Sequence, residues 1–293
     1  MRARTRRQPT ALLAIATWLW LVPAAVAQEG LEPERDREET AHAEAEREPL
    51  EEPSAESDAE PAAPQRFFAA ASLGFDFSHG DYGEPKSTDF LAISAALKLE
   101  YEPITFRVSV PFLYKDGVED VIPGVGSSGD SASTGEEAGI GNMITSLAYT
   151  WYPTRDYVPI VDLITKVKIP TASKSRGLGT GRADVTLQME LTEVLGPVAL
   201  FGGVGYRFKG GGRFDDVIVA GGGVGYRFAR SFSAGVAYDF REAATSSASN
   251  VNEIVPYLSI RVGRARLGPY SVFGLTNGSP DWGVGTNLTV EIR

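Results

Sequence analysis

Apolar and polar residues alternate strictly along the segment Gly181–Thr192. The apolar row consists of Ala183, Val185, Leu187, Met189 and Leu191. The polar row consists of Arg182, Asp184, Thr186, Gln188 and Glu190. Because successive side chains of a β-strand point to opposite faces, the pattern predicts a strand with one face in an apolar medium and the other in water.

The alternation recurs as far as the C-terminus and predicts twelve strands of about 9–13 residues, long enough to cross a bilayer when tilted. They are Phe67–Ser78, Asp89–Tyr101, Ile104–Tyr114, Gly139–Trp151, Val158–Ile169, Gly181–Thr192, Val198–Lys209, Asp216–Phe228, Phe232–Arg241, Glu253–Val262, Leu267–Leu275 and Trp282–Ile292. We therefore predict an all-β fold in which residues 66–293 form a transmembrane antiparallel up-and-down β-barrel. The eleventh strand is the least regular, so a barrel of ten strands is the alternative.

Aromatic residues test this interpretation, because membrane interfaces select aromatic girdles and a soluble β-sandwich has no such requirement. One group falls at the ends of strands that lead into long loops: Phe75, Phe77, Phe112, Tyr114, Tyr206, Phe208, Tyr238, Phe240 and Trp282. A second group falls at the ends that lead into short turns: Phe67, Tyr101, Tyr149, Trp151, Tyr226, Phe228 and Phe232. Two girdles, short periplasmic turns and long outward loops are typical of the bacterial outer membrane.

The N-terminal region differs from the rest of the chain. Residues 1–27 have a basic head, an apolar middle and small residues before Gln28, which predicts a secretory signal peptide. Residues 28–65 are rich in Glu, Ala and Pro and contain most of the excess acidic charge in a chain of net charge −10. With no aromatic residue and few large apolar ones, this segment is predicted to be a disordered periplasmic linker. The chain has no cysteine, which excludes disulfides.

The heptad Gly202–Phe208 returns unchanged as Gly222–Phe228. In both copies the alternation places Tyr and Phe towards lipid, and Gly and Arg towards the interior. The glycines are not followed by a helix or by a Lys-Ser/Thr pair, so they do not form a phosphate-binding loop. The repeat is interpreted as a structural hairpin unit, whose inward glycines leave space for a cavity, ease sheet curvature or receive an inserted loop.

The inward rows carry both signs of charge. The predicted pore-lining residues are Arg107, Asp162, Lys166, Lys168, Arg182, Asp184, Glu190, Arg207, Arg227, Asp239, Arg241, Glu253 and Arg261. Such residues either line an aqueous path for small solutes, including aromatic or anionic ones, or cross-link the strands and close the barrel. The first hypothesis is a passive channel or transporter. The second is a closed structural or surface barrel with an acidic periplasmic linker.

The longest outward loop, Lys115–Ala138, is acidic and is the predicted gate. Three behaviours are left open for it: it binds divalent cations that bridge lipopolysaccharide, it folds inward against the basic lumen residues, or it is a mobile, solvated loop. The expected partners are therefore outer-membrane lipid, lipopolysaccharide and a small solute, with the oligomeric state left open. Only two histidines are present. His79 has no recognisable nucleophile at a catalytic spacing, so no enzymatic activity, cofactor, metal or nucleic-acid partner is expected.

Three short motifs lie between residues 139 and 206: Gly139-Ile140-Gly141-Asn142, Gly179-Thr180-Gly181-Arg182-Ala183-Asp184, and Gly205-Tyr206. In their order and their positions on the strands they resemble outer-membrane transporters of the MetA-pathway phenol-degradation family. The resemblance spans the chain from about Phe67 to the C-terminus. It implies a barrel that passes small, often aromatic, organic compounds.

Overall fold

The computed structural model describes residues 67–127, 133–153, 158–246 and 248–292. The predicted signal peptide and acidic linker lie outside the described residues, as does Asp130 of the long outward loop. In the part of the chain that is described, no helix is long and apolar enough to cross a bilayer.

Within the described ranges the chain forms fifteen β-strands, which occur in the following order. They are β1 (Phe67–Gly80), β2 (Thr88–Tyr101), β3 (Ile104–Val118), β4 (Val121–Ile122), β5 (Gly126–Ser127), β6 (Thr134–Ile140), β7 (Met143–Trp151), β8 (Ile160–Ile169), β9 (Asp184–Leu195), β10 (Val198–Phe208), β11 (Val217–Ala229), β12 (Phe232–Arg241), β13 (Val251–Val262), β14 (Ala265–Gly274) and β15 (Trp282–Glu291).

The large sheet closes on itself to form a barrel. Each of its strands pairs antiparallel with its neighbours, and β1 pairs with β15 from Ala70↔Glu291 to His79↔Trp282. Both β6 and β7 pair with β3, so these two segments form one interrupted barrel strand. The described sheet is therefore a barrel of twelve strands, which confirms the predicted all-β, up-and-down architecture over the ten-stranded alternative.

The predicted strand Gly139–Trp151 is interrupted at Gly141 and Asn142. The break occurs where an ideal Cβ on Gly141 would lie 2.7 Å from the Pro111 side chain, so a larger residue would force that ring to shift. Thr171, from the loop after β8, donates its hydroxyl to the Gly141 carbonyl at 2.6 Å and accepts the Met143 amide at 2.8 Å. These bonds replace sheet hydrogen bonds that the interruption removes.

The predicted strand Gly181–Thr192 lies three residues too early, since β9 spans Asp184–Leu195. Gly177 and Gly181 have positive φ angles of 64° and 67°, which keeps the chain in a turn up to Ala183. At the other end, pairing of Val198 with Leu195 extends the strand to a two-residue turn. The alternation was nevertheless correct, because Leu187 and Met189 are exposed on the outside while Gln188 and Glu190 are buried inside.

The outer surface of the barrel is apolar. Its middle is formed by large exposed side chains, which include Leu73, Ile93, Leu97, Leu147, Leu163, Val204, Val236, Val284 and Leu288. Exposed Tyr206, Phe208 and Trp282 lie at the loop end, and exposed Tyr149, Trp151 and Phe228 lie at the turn end. An apolar belt between two aromatic girdles is the surface of a barrel that spans a membrane.

The two copies of the heptad form the adjacent strands β10 and β11, and their first glycines, Gly202 and Gly222, are direct partners. Because the strands are antiparallel, one copy runs to the loop end and the other to the turn end. Tyr206 and Phe208 pack with ring centroids 4.9 Å apart, and Tyr226 and Phe228 with centroids 4.8 Å apart. One sequence unit thus supplies a ring pair to each girdle.

Candidate functional site

Four cations lie in one row across the inside of the barrel. The row follows directly paired residues on six neighbouring strands, β2, β3, β7, β8, β9 and β10. It comprises Lys98, Arg107, Ser146, Lys166, Thr186 and Arg207. Directly paired residues of a sheet point to the same face and lie close together. We call this the cationic row.

The cationic row climbs from the turn end to the loop end of the barrel. Lys98 lies three residues before the turn end of β2, whereas Arg207 is the penultimate residue of β10, next to the outward loops. The climb has a geometric cause. Sheet hydrogen bonds run perpendicular to the strands, and the strands of such barrels are tilted by about 35–45°, so a row of paired residues winds around the lumen.

A second row, closer to the turn end, carries the opposite charge. It comprises Asp162, Glu190, Gly203, Gly221, Asp239 and Glu253. On β8 and β9 this acidic row lies four residues below the cationic row, a separation of about 13 Å along a strand. The sequence predicted a lining in which positive and negative residues are mixed. On these strands, the two signs of charge instead lie at different depths of the barrel.

The remaining predicted pore-lining residues have different positions. Lys168 and Asp184 are direct partners at the loop end, and Arg241 ends β12 on the same side. Arg227 and Arg261 lie at the turn end, where Arg261 forms an ion pair with Glu291 at 2.9 Å. Arg182 differs from the prediction: it precedes the first residue of β9 and is exposed in the loop, because the turn at Gly181 delays the strand.

The outward loop between β3 and β6 folds into the mouth of the barrel. Its residues 119–127, which include the small hairpin of β4 and β5, are here called the plug segment. Val121 is fully buried beside Tyr82, Phe90 and Val118, and Val125 packs against inward residues of β11. The plug segment thus closes the mouth with apolar side chains, whereas its Glu119, together with Asp116 of β3 and Glu136 of β6, remains exposed.

Two cations of the barrel wall fasten the plug segment through its backbone. Lys115, whose exposed fraction is 1%, donates from Nζ to the carbonyls of Glu119 at 2.9 Å and Val121 at 3.4 Å. Arg241 donates from Nη1 to the carbonyl of Gly124 at 3.0 Å. The loop therefore folds inward against basic residues, which was one of the three expectations. Its carbonyl oxygens, and not its acidic side chains, accept these hydrogen bonds.

A cavity with about 60 Å³ of space for water lies beneath the plug segment. Its polar lining comprises Asn142, Lys166, Lys168, Asp184, Thr186, Arg207, Lys209 and Arg241. Its apolar lining comprises Pro111, Leu113, Pro123, Gly124, Val125, Ile144 and Leu178. The loop end of the cationic row therefore lies in a cavity that the plug segment covers.

Asp184 organises the cationic wall of the cavity. Its Oδ2 lies 2.7 Å from Nζ of Lys168 and 3.5 Å from Nζ of Lys209. Burial lowers the pKa of Lys209, just beyond the end of β10, to about 7, and the positive charge of Arg207 acts in the same direction. Lys209 therefore changes its charge near neutral pH.

Lys115 and Lys209 were not among the predicted pore-lining residues. Lys115 follows the last residue of the predicted third strand, and β3 in fact continues to Val118. Lys209 was the last residue of its predicted strand. Each lies two residues after a buried, inward-facing residue, Leu113 or Arg207. The two-residue period of a strand could therefore have identified both lysines as inward-facing.

The first two motifs that carry the family resemblance meet at the cavity. An ideal Cβ on Gly179 would lie 2.8 Å from the Asn142 amide nitrogen, so the first two motifs are in direct contact. Lys168 donates to the Thr180 hydroxyl at 3.0 Å, which ties the second motif to the wall. Residues that are distant in the sequence thus form one side of the site.

The inward glycines make room for aromatic rings. An ideal Cβ on Gly223 would lie 2.5 Å from the ring of Phe201, and one on Gly285 would lie 2.4 Å from the ring of Tyr270. Tyr270 belongs to a buried cluster with Tyr257, Val255, Val272 and Ala237. Neighbouring rings therefore occupy the space above these two glycines.

His79 contacts Asp89, with Nδ1 and Oδ1 2.6 Å apart. Ser78 points to the opposite face of β1, where its hydroxyl lies 2.9 Å from the Tyr82 hydroxyl. The two side chains do not face each other, so they do not form the nucleophile and base of a catalytic pair.

No family model matches the chain, and no curated relative does either. Among solved structures, an outer membrane channel from Pseudomonas putida F1 is similar with a TM-score of 0.63 and 14% sequence identity, over 82% of this chain and 100% of that one. The translocator domain of the autotransporter NalP from Neisseria meningitidis has a TM-score of 0.46 and 8% identity, over 77% and 87% of the two chains. The toluene transporter TodX of P. putida has a TM-score of 0.39 and 10% identity, over 78% and 90%. The first similarity shows the fold, that of an outer-membrane β-barrel.

Proposed function

We propose that the protein is a passive channel of the bacterial outer membrane for small organic solutes, with the plug segment as its gate. One observation carries the proposal: a hairpin held by Lys115 and Arg241 closes the mouth directly above a charged cavity. The cationic row leads from this cavity towards the periplasmic end. The resemblance to the MetA-pathway phenol-degradation family supports the same class of solute, because Asn142 and Asp184 of its motifs line the cavity.

The other sequence predictions belong to the same proposal. Residues 1–27 direct the chain to the periplasm, and residues 28–65 act as a periplasmic linker. The apolar belt contacts membrane lipid. The exposed acidic residues at the rim, Asp116, Glu119 and Glu136, meet divalent cations that bridge lipopolysaccharide.

Single-channel recording in planar bilayers tests the gate. Deletion of residues 121–127 removes the apolar part of the plug segment that fills the mouth. We expect a larger unit conductance than in the wild type. A matched control replaces the exposed loop residues 85–87 by Gly-Ser-Gly, which leaves the plug segment in place and the conductance unchanged. A deletion variant that inserts normally but conducts no ions would contradict the channel proposal.

A closed structural barrel is the second candidate function, and one observation favours it. The inward rings of Phe201, Tyr257 and Tyr270 pack together on the lumen side of β10, β13 and β14. If these rings close the lumen, a barrel without the plug segment conducts no ions. The same recordings therefore distinguish the two functions.

A further inference from the structure

Five arginines lie close together at the turn end of the barrel. Arg227 and Arg230 lie where β11 turns into β12. Arg261, Arg264 and Arg266 lie where β13 turns into β14. The two turns are neighbours, because the Arg261 amide donates to the Ser231 carbonyl at 2.9 Å. We call these five residues the arginine cluster.

Carboxylates are fewer than arginines at this edge. Among the described residues around the turn ends of β9 to β15, the carboxylates are Glu193 and Glu291. Glu291 binds Arg261, with Oε1 2.9 Å from Nη2. Arg261 and Arg266 are direct strand partners, and like charges in that arrangement repel each other. Whichever arginines the two carboxylates contact, this edge keeps an excess of positive charge, which favours an anionic partner.

The chain itself contains an acidic segment that joins the barrel at this end. Residues 48–60 have no basic side chain and carry six carboxylates, those of Glu48, Glu51, Glu52, Glu56, Asp58 and Glu60. They lie outside the described residues but precede β1 in the chain. Phe67, the first residue of β1, pairs with Tyr101 beside the turn between β2 and β3. The acidic segment is therefore attached to the barrel at the same end as the arginine cluster.

The acidic segment can reach the cluster. In the sheet, β14 is two strands from β1 and β12 is four strands from it. Neighbouring strands are about 4.8 Å apart, so the cluster lies about 10–20 Å from β1 along the wall. Glu60 lies seven residues before Phe67, and an extended chain of that length spans up to about 23 Å. Such a short tether holds the carboxylates near the cluster at a high effective concentration.

Lipid head groups are the other source of negative charge at this depth. Arg227, Arg261 and Arg266 alternate with residues exposed on the outer face, which are Phe228, Val262 and Leu267. These three arginines therefore point to the inner side of the wall, away from the lipid. A tethered segment enters this side from the aqueous end, so it suits the cluster better than a lipid does.

From these observations we propose that residues 48–60 dock on the arginine cluster of their own barrel, through ion pairs between their carboxylates and the guanidinium groups. Guanidinium groups bind carboxylates in a planar, bidentate geometry. Each exposed pair is weak and is screened by salt, so the docking depends on several pairs at once. The docked segment lies at the edge of the lumen, beside Arg227 and Arg261. It does not require an open lumen, so its test is independent of the channel proposal.

Carbodiimide cross-linking of the purified chain in an uncharged detergent tests the docking, because the reagent joins a carboxylate to an amine that contacts it. The described turns contain no lysine, so Arg264→Lys places one amine in the cluster and keeps the charge. After digestion with trypsin, we expect the peptide of residues 48–66 joined to this amine. Arg230→Lys, in the neighbouring turn, is a second position that should give the same product.

Glu102→Lys is the matched control. It places an amine in the turn between β2 and β3, which lies next to β1, so a segment that does not dock reaches it at least as easily. We expect at least about fivefold more product from Arg264→Lys than from Glu102→Lys, because docking concentrates the carboxylates at the cluster. The excess should disappear in about 1 M NaCl, where the Debye length is about 3 Å. Heat-modifiable electrophoretic mobility confirms that each variant is folded.

Four results would overturn the inference. Equal yields from Arg264→Lys and Glu102→Lys would show chance collisions without docking. An excess that persists at high salt would show that ion pairs do not hold the segment. In a mixture of isotopically light and heavy chains, a product that joins one to the other would place the segment on a neighbouring barrel. Loss of the product in vesicles of anionic phospholipid would assign the arginine cluster to lipid head groups.

Discussion

Asp184 lies between two lysines, with its Oδ2 2.7 Å from Nζ of Lys168 and 3.5 Å from Nζ of Lys209. It is the first residue of β9, so the position where the strand begins determines where this carboxylate sits. One carboxylate therefore contacts two lysines of the wall beneath the plug segment.

Lys115→Met should release the plug segment. The variant removes the hydrogen bonds from Nζ to the carbonyls of Glu119 and Val121, and the docked state should lose about 2–3 kcal/mol. We expect a higher open probability in single-channel recordings. Lys86→Met, in an exposed loop position, is the control and should behave like the wild type. Identical gating in both variants would show that Lys115 does not hold the gate.

Anion selectivity should fall as the pH rises through about 7, where buried Lys209 loses its proton. The charged groups that face it are Asp184, Lys168, Arg207 and Arg241. Its pKa lies below that of an ordinary lysine, so Lys209 is positive below this pH and neutral above it. Reversal potentials in a KCl gradient at pH 6 and pH 8 measure the change.

Lys209→Met should abolish this pH step, and Lys174→Met, on the exposed loop after β8, should preserve it. A step of equal size in both variants would assign the titration to another group.

The cost of a charge on the outer surface should depend on its depth along β9. Met189 lies near the middle of the strand, and Leu195 is its last residue at the turn end. Arginine at Met189 should destabilise the inserted barrel by about 2–4 kcal/mol, and arginine at Leu195 by about 0–1 kcal/mol. Leu187 is the direct partner of Tyr206 in the outer girdle, so arginine there should cost less than at Met189. Denaturant titration in lipid vesicles measures all three, and equal costs would disprove the assigned depths.

Gly285→Ala should overpack the lumen. The added Cβ would lie 2.4 Å from the Tyr270 ring, and overpacking of this kind costs about 1–3 kcal/mol. Tyr270→Leu in the same chain should recover part of the loss, because the ring that causes the clash is gone. Gly212→Ala, whose Cβ meets no atom within 4 Å, is the control. Absence of any coupling between positions 285 and 270 in unfolding titrations would show that the ring moves freely.

Much of the barrel follows from local sequence. The two-residue period assigns the side that each strand residue faces, as at Leu187 and Gln188, because neighbouring side chains of a strand point in opposite directions. Aromatic pairs such as Tyr206 and Phe208 mark the strand ends, since interfaces favour amphipathic rings. Strand ends were less certain: Gly181 and Arg182 have the pattern of β9 but lie in the turn before it.

The arrangement of residues in the candidate site could be found only from the tertiary structure. The sequence showed that Lys166, Arg207 and Glu190 point inward, but it did not show that the first two belong to one row and the third to another. That separation follows from the pairing register of strands that are far apart in the chain. The plug segment likewise carries no periodic signal, and its docking depends on Lys115 and Arg241, which lie in different strands. Alternation is a property of each strand alone and is visible in the sequence, whereas the rows, the lid and the cavity exist only once hydrogen bonds have fixed how the strands stand beside one another.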